Sequence, residues 1–153
     1  MKKIIPIICL IIISISCEKE VQYNLDTQIE VLLLDKSGNN LLKPSNPAAY
    51  NVNDIKLYYV EGNSINEVFY SNLDYPRNYM ILDELDYRIR IFPNASKKED
   101  FPVTLIKWNE TDMDTIKCEF SRNDGSVMCK KVWYNGKLVW DNIGVERFFE
   151  IVK

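Results

Sequence analysis

Histidine is absent from all 153 residues. That absence excludes Ser-His and Cys-His nucleophile pairs and removes the commonest zinc ligand. Glycine is scarce, at five, and the chain has no phosphate-cradling glycine loop, no Gly-x-Ser-x-Gly elbow and no Cys-x-x-Cys pair. Basic clusters are missing as well: 19 Lys and Arg are scattered among 22 Asp and Glu, for a net charge of −3. Without a basic stripe there is no footprint for nucleic acid or for an anionic membrane patch. No cofactor and no metal site is expected. Only one long apolar run exists, and it stands at the start.

In that start, Lys2 and Lys3 precede an apolar stretch from Ile4 to Ile13, interrupted by Pro6, and Ser14, Ile15 and Ser16 lead into Cys17. A charged start, an apolar run and small residues before a cut describe a secretory signal. A membrane span needs roughly 20 apolar residues, and the 13 from Ile4 to Ser16 fall short. Ser14-Ile15-Ser16-Cys17 resembles the lipobox of bacterial lipoproteins, with Ser14 where an aliphatic residue is usual, a departure common in the Bacteroidota type. The resemblance implies that residues 1–16 are removed and that Cys17 carries lipid, making the membrane a partner through the anchor. Two or three acyl chains there would hold stably where one holds only marginally. Cys17-Glu18-Lys19-Glu20 resembles the charged signals that send such lipoproteins outward, which implies the outer membrane and the cell surface rather than its periplasmic face. The resemblance covers the first twenty residues only; an ordinary secreted protein with a chance cysteine at the boundary is the alternative.

The two lysines of the leader leave with it, so the remaining 137 residues carry a balance of −5. Residues 17–27 are polar and aperiodic and read as a tether. Its ten residues after Cys17 reach about 33 Å when extended. Residues 28–153 form one domain, large enough to bury a core without a metal. Cys9 leaves with the leader and Cys17 takes lipid, so Cys118 and Cys129 remain and read as a disulfide in an oxidising compartment.

Short β-rich runs separated by turn residues fill the domain. Strands are expected at 28–35, 55–59, 68–70, 79–82, 87–92, 103–108, 116–121, 127–134, 138–140 and 147–152, and no window has a convincing helical period. Nine or ten short strands indicate an all-β, two-sheet antiparallel sandwich, immunoglobulin-like or prealbumin-like, with a small barrel as runner-up.

The last third fixes a register. Arg122-Asn123-Asp124-Gly125 reads as a four-residue loop and Asn135-Gly136 as a two-residue type I′ turn. This register sets Cys118 opposite Cys129, Phe120 opposite Val127, Trp133 opposite Leu138 and Trp140 opposite Lys131. Ile116, Cys118, Phe120, Val127, Cys129, Trp133, Leu138 and Trp140 then share the core face, with Lys131 as its lone charge, while Met128, Val132, Tyr134 and Val139 face outward. Directly opposed cysteines lie within disulfide reach.

Carboxylates are the remaining candidates for chemistry. Glu110, Asp112 and Asp114 lack the glycine and terminal glutamate of a calcium loop and read as a solvated turn, as do Asp83, Glu84 and Asp86. Among nine tyrosines, Tyr58, Tyr70, Tyr75 and Tyr79 sit at strand ends or near Pro76 and are the candidate ligand surface. Asp114-Thr115-Ile116 resembles the O-glycosylation motif of exported Bacteroidota proteins, with Thr115 as acceptor. The functional expectation is a lipid-anchored, non-enzymatic binding or adhesion module whose ligand is a glycan or a protein. A structural subunit of an envelope assembly is the second reading and a two-carboxylate hydrolase a distant third.

Overall fold

A computed structural model describes residues 24–123, 125–141 and 144–153. The expected leader, Cys17 and the expected tether up to residue 23 lie outside the described residues. The described residues form eleven strands: β1 (Leu25–Asp26), β2 (Ile29–Leu34), β3 (Lys56–Glu61), β4 (Ser64–Glu67), β5 (Tyr79–Leu82), β6 (Arg88–Ile91), β7 (Val103–Lys107), β8 (Met113–Asn123), β9 (Ser126–Tyr134), β10 (Lys137–Trp140) and β11 (Phe148–Val152). The helical content described is two single 3-10 turns, Val52–Asp54 and Asp83–Leu85.

The strands make a two-sheet sandwich. One sheet has the order β1-β9-β8-β7-β3-β4, with β10 also on β9, and the other β11-β2-β6-β5. Both sheets are mixed rather than antiparallel, because β1 runs parallel to β9 and β11 parallel to β2. The core lies between them. Ile29, Val31, Leu33, Ile89 and Ile91 from the smaller sheet meet Leu57, Ile106, Ile116, Cys118 and Val132 from the larger. Period-two alternation in β6, β7 and β8 is what lets one face of each strand enter this layer.

Structure begins earlier than the expected tether boundary. Leu25 and Asp26 pair with Val127 and Met128, and the Asn24 carbonyl accepts from Val127 N at 2.8 Å. Arg147 fixes this entry by an ion pair to Asp26 and a 2.8 Å hydrogen bond to the Gln28 carbonyl. A second correction concerns residues 68–70, expected as a strand. The strand is Ser64–Glu67 instead, because Gly62 takes φ +58° in a two-residue loop and pairing resumes at once, Glu61 against Ser64 and Val60 against Ile65.

The β8–β9 hairpin holds the largest departure. Phe120, not Cys118, pairs with Cys129, and Cys118 pairs with Val132. Pairing extends to Asn123 and Ser126, past the expected start of a four-residue loop at Arg122, and Lys130 is an extra residue between the Glu119–Lys131 and Phe120–Cys129 pairs. This β-bulge changes the phase of β9: Val127 and Cys129 face inward before it, Val132 and Tyr134 after it. Strict alternation would have put Lys131 in the core. The bulge keeps Lys130 and Lys131 both outside, where they pair with Glu119 at 3.5 and 3.1 Å. Trp133 consequently turns outward, contrary to expectation. The Asn135-Gly136 turn is as expected, with φ +47° and +79°, and Trp133 does oppose Leu138. A further irregularity after Leu138 sets Trp140 against Val132 rather than Lys131 and keeps it buried.

Strand directions define two ends. The chain enters beside the start of β9, at the β8–β9 tip and on the β9 edge of the larger sheet. Residues 68–78 leave β4 on the other edge and at the other end, where Val68 N donates to the Leu57 carbonyl at 2.9 Å and Arg77 donates to the Asn53 carbonyl. Entry point and loop therefore stand at diagonally opposite corners of the larger sheet.

Candidate functional site

Two acids expected in a solvated turn are instead drawn inward. Asp114 begins the inward set of β8 and is 7% exposed. It accepts hydrogen bonds from Trp108 Nε1 at 2.6 Å, Tyr134 Oη at 2.5 Å and Asn135 Nδ2 at 2.7 Å. Lys153 Nζ lies 2.5 Å from both Asp114 and Asp112, and the Tyr50 hydroxyl donates to Asp112. Burial alone would raise the Asp114 pKa, but the bonds from Lys153, Tyr134, Asn135 and Trp108 outweigh it and hold it below the usual carboxylate value. Burial, the bond to Asp114 and repulsion from its charge push the Tyr134 phenol up. The cluster is a latch: it ties the end of β11 to the β7–β8 connection through the fully buried Trp108, which stacks on Tyr50 at 5.7 Å. Beside it opens a cleft of about 450 Å³ that Asp114, Asn135, Glu150 and Lys153 help to line. Of the three acids of that turn, Glu110 behaves as the expected solvated one, pairing with Lys107 at 2.8 Å. Among the described residues no group of three or more ligating side chains could hold a metal.

Of the four candidate tyrosines, Tyr70 and Tyr75 share one loop, and Tyr75 and Tyr79 line one recess. Tyr70 and Tyr75 are 45% and 43% exposed on the 68–78 loop, with Phe69 and Leu73 also exposed. Backbone bonds brace that loop, from Tyr70 N to the Pro76 carbonyl at 2.8 Å and from Asn78 N to the Tyr75 carbonyl at 2.9 Å. Tyr75 stands between two recesses of about 270 and 290 Å³, the first closed by Leu73 and Phe92, the second by Phe69, Arg77 and Tyr79. Tyr79 is mainly a foot for the loop: its hydroxyl donates to the Val52 carbonyl at 2.7 Å, and burial raises its pKa. Tyr58 stands apart, half-buried on the outer face of β3 between Glu67 and Leu105.

Sequence reasoning missed an aromatic pair on the larger sheet. Outward-facing Trp133 meets Phe101 edge-to-face, with centroids 5.9 Å apart and planes at 79°. Lys117, opposite Trp133 on β8, holds its ammonium 4.7 Å from the Trp133 centroid and 5.6 Å from that of Phe101. The signal that could have found this pair is Lys130-Lys131: two adjacent lysines cannot both stay outside without a phase change in β9.

Cys118 and Cys129 are buried, inward-facing neighbours diagonal across the bulge, and they carry free thiols in this structure. A hydrogen bond donated to Cys129, together with burial, pushes the Cys118 thiol well up. Thr115 lies on the outer face of β8, paired with Leu105 on one side, while its own backbone N–H donates to Asn135 Oδ1 at 2.8 Å on the other. Among the described residues no helix is long and apolar enough to cross a membrane. Comparison with known protein families, with curated proteins and with solved structures finds no match for this chain.

Proposed function

We propose that this chain is a lipid-anchored envelope protein, held through Cys17 at the outer membrane and displayed at the cell surface, that binds a glycan without catalysing a reaction. The observation carrying this reading is the diagonal between chain entry and the Tyr70–Tyr75 loop. An anchor just before Asn24 would direct the exposed aromatic loop and its two recesses away from the bilayer. Exposed aromatic rings beside polar groups suit a ligand with an apolar face and a hydroxylated rim.

Two other readings are less well supported. A structural subunit would use long open edges, yet the described edge strands β4 and β5 have four residues each and β11 has five. A hydrolase would need two acids free to exchange protons. Asp112 and Asp114 do converge, but both are bound to one ammonium, and Asp114 accepts three further hydrogen bonds. Oxidation of Cys118 and Cys129 to a disulfide belongs to the same envelope reading. So does modification of Thr115, which would precede folding because β8 is paired on both sides there.

The test is a thermal-shift screen of the full chain, in a detergent without sugar headgroups, against a broad glycan panel. A saturable rise with one glycan class, lost in Tyr75→Ala, is expected. A flat panel would overturn the glycan reading and leave a protein ligand in its place.

A further inference from the structure

On a chain with net charge −3, the outer face of β8–β9 is locally basic. Among the described residues of that face, Lys117, Lys130 and Lys131 stand against the carboxylate of Glu119, which Lys130 and Lys131 already satisfy. Lys117 makes no ion pair among the described residues; its ammonium rests on the faces of Trp133 and Phe101. We propose that Trp133, Phe101 and Lys117 form a second glycan subsite, separate from the Tyr70–Tyr75 loop and selective for pyranosides bearing a carboxylate.

The selectivity follows from what Lys117 does in the free protein. An aromatic face is the negative part of the ring quadrupole and attracts either the cation or the weakly positive C–H face of a pyranose. A neutral sugar stacking on Trp133 must displace the ammonium and offers it nothing in return. A uronic acid offers its ring to Trp133 and its carboxylate to Lys117, so the cation leaves one partner for a stronger one. Phe101, at 79° to Trp133, supplies a wall that orients the ring. Glu119 does not repel the incoming acid, because two ammonium groups lie 3.1 and 3.5 Å from it.

The experiment titrates tetragalacturonate, and separately its methyl ester, into the full chain in a detergent without sugar headgroups. Tryptophan fluorescence and calorimetry are the readouts. The ester keeps the pyranose rings and removes the charge. Saturable quenching by the acid is expected, with affinity at least about tenfold weaker for the ester and for Lys117→Gln, a gap of about 1.4 kcal/mol. Binding should weaken with added salt, disappear in Trp133→Leu and persist in Tyr75→Ala. Thermal melts of each variant separate lost binding from lost folding, and Lys117→Gln, on the surface, keeps the test sound if Trp133→Leu is unstable. Equal binding of acid and ester overturns the proposal. So does undiminished binding by Trp133→Leu, and so does no binding of the acid up to millimolar concentration. Loss of binding in Tyr75→Ala alone would assign the acid to the loop instead, leaving the binding-module reading intact and this subsite refuted.

Discussion

The β8–β9 hairpin has two faces built to different rules. Inward it presents Asp114, Ile116, Cys118, Phe120, Val127, Cys129, Val132 and Tyr134, all buried. Outward it presents Lys117, Glu119, Lys130, Lys131 and Trp133, tied by cation–π and surface ion-pair contacts. Inside, every group has a partner and little water, so removing one leaves a void or an unpaired charge. Outside, water replaces whatever a substitution removes. The same two strands thus spend one face on stability and leave the other available for recognition. The comparison can be tested from its steepest point to its shallowest.

The largest effect is expected at Asp114. Asp114→Asn leaves Lys153 with half its counter-charge and should cost about 3 kcal/mol in chemical denaturation. Its pH dependence has a definite sign. The folded carboxyl titrates below its usual value, so its contribution is complete above the unfolded pKa of about 3.9 and fades as pH falls through the lower folded value. The Tm gap between wild type and Asp114→Asn should stay constant from neutral pH down to about pH 5 and close under more acid conditions. A gap that widens in acid would refute the latch.

Next comes the cysteine pair. Protein matured in the envelope should show no reactive thiol when denatured without reductant. Its Cys118–Cys129 bridge, closing about twelve residues, should add roughly 2.5–3 kcal/mol that a reductant removes. Free thiols in the matured protein would sink the disulfide. On the outer face Glu119→Gln should change stability by less than about 1 kcal/mol, with urea melts nearly superimposable on wild type.

The smallest effect is the most diagnostic. Because Lys130 is the extra residue of the bulge, deleting it leaves Glu119–Lys131, Cys118–Val132 and Lys117–Trp133 in register. The deletion should fold, with Trp133 still open to acrylamide quenching. Under a bulge-free register the same deletion would invert every later side chain of β9 and unfold the hairpin.

Much of the fold was legible because strand periodicity and turn chemistry are local. The run at 79–82 was readable from its β-rich composition, the strand expected at 87–92 from its alternation, and Asn135-Gly136 from the positive φ both residues accept. Strand β4 was not, since Ser64–Glu67 is mostly polar and exposed along its length, Ile65 included, and owes its pairing to β3 rather than to its own composition. Of the candidate tyrosines, chosen for their places at strand ends or beside Pro76, Tyr70 and Tyr75 are exposed, whereas Tyr79 is half-buried because the carbonyls it braces come from residues 52 and 55. Asp112 and Asp114 look like a solvated turn in any window, because Tyr50, Tyr134 and Lys153 approach from distant segments.

By itself the sequence determined the all-β class, the hairpin turns, the acidic surface and the absence of histidine chemistry, since each depends on residue type or on neighbours a few positions away. Tertiary structure alone decided the phase of β9, the outward turn of Trp133, the inward turn of Asp114 and the parallel seating of β1 and β11. Those four depend on which face of a strand finds a partner across the sandwich. One inserted residue or one distant ammonium reverses that choice without altering the local pattern.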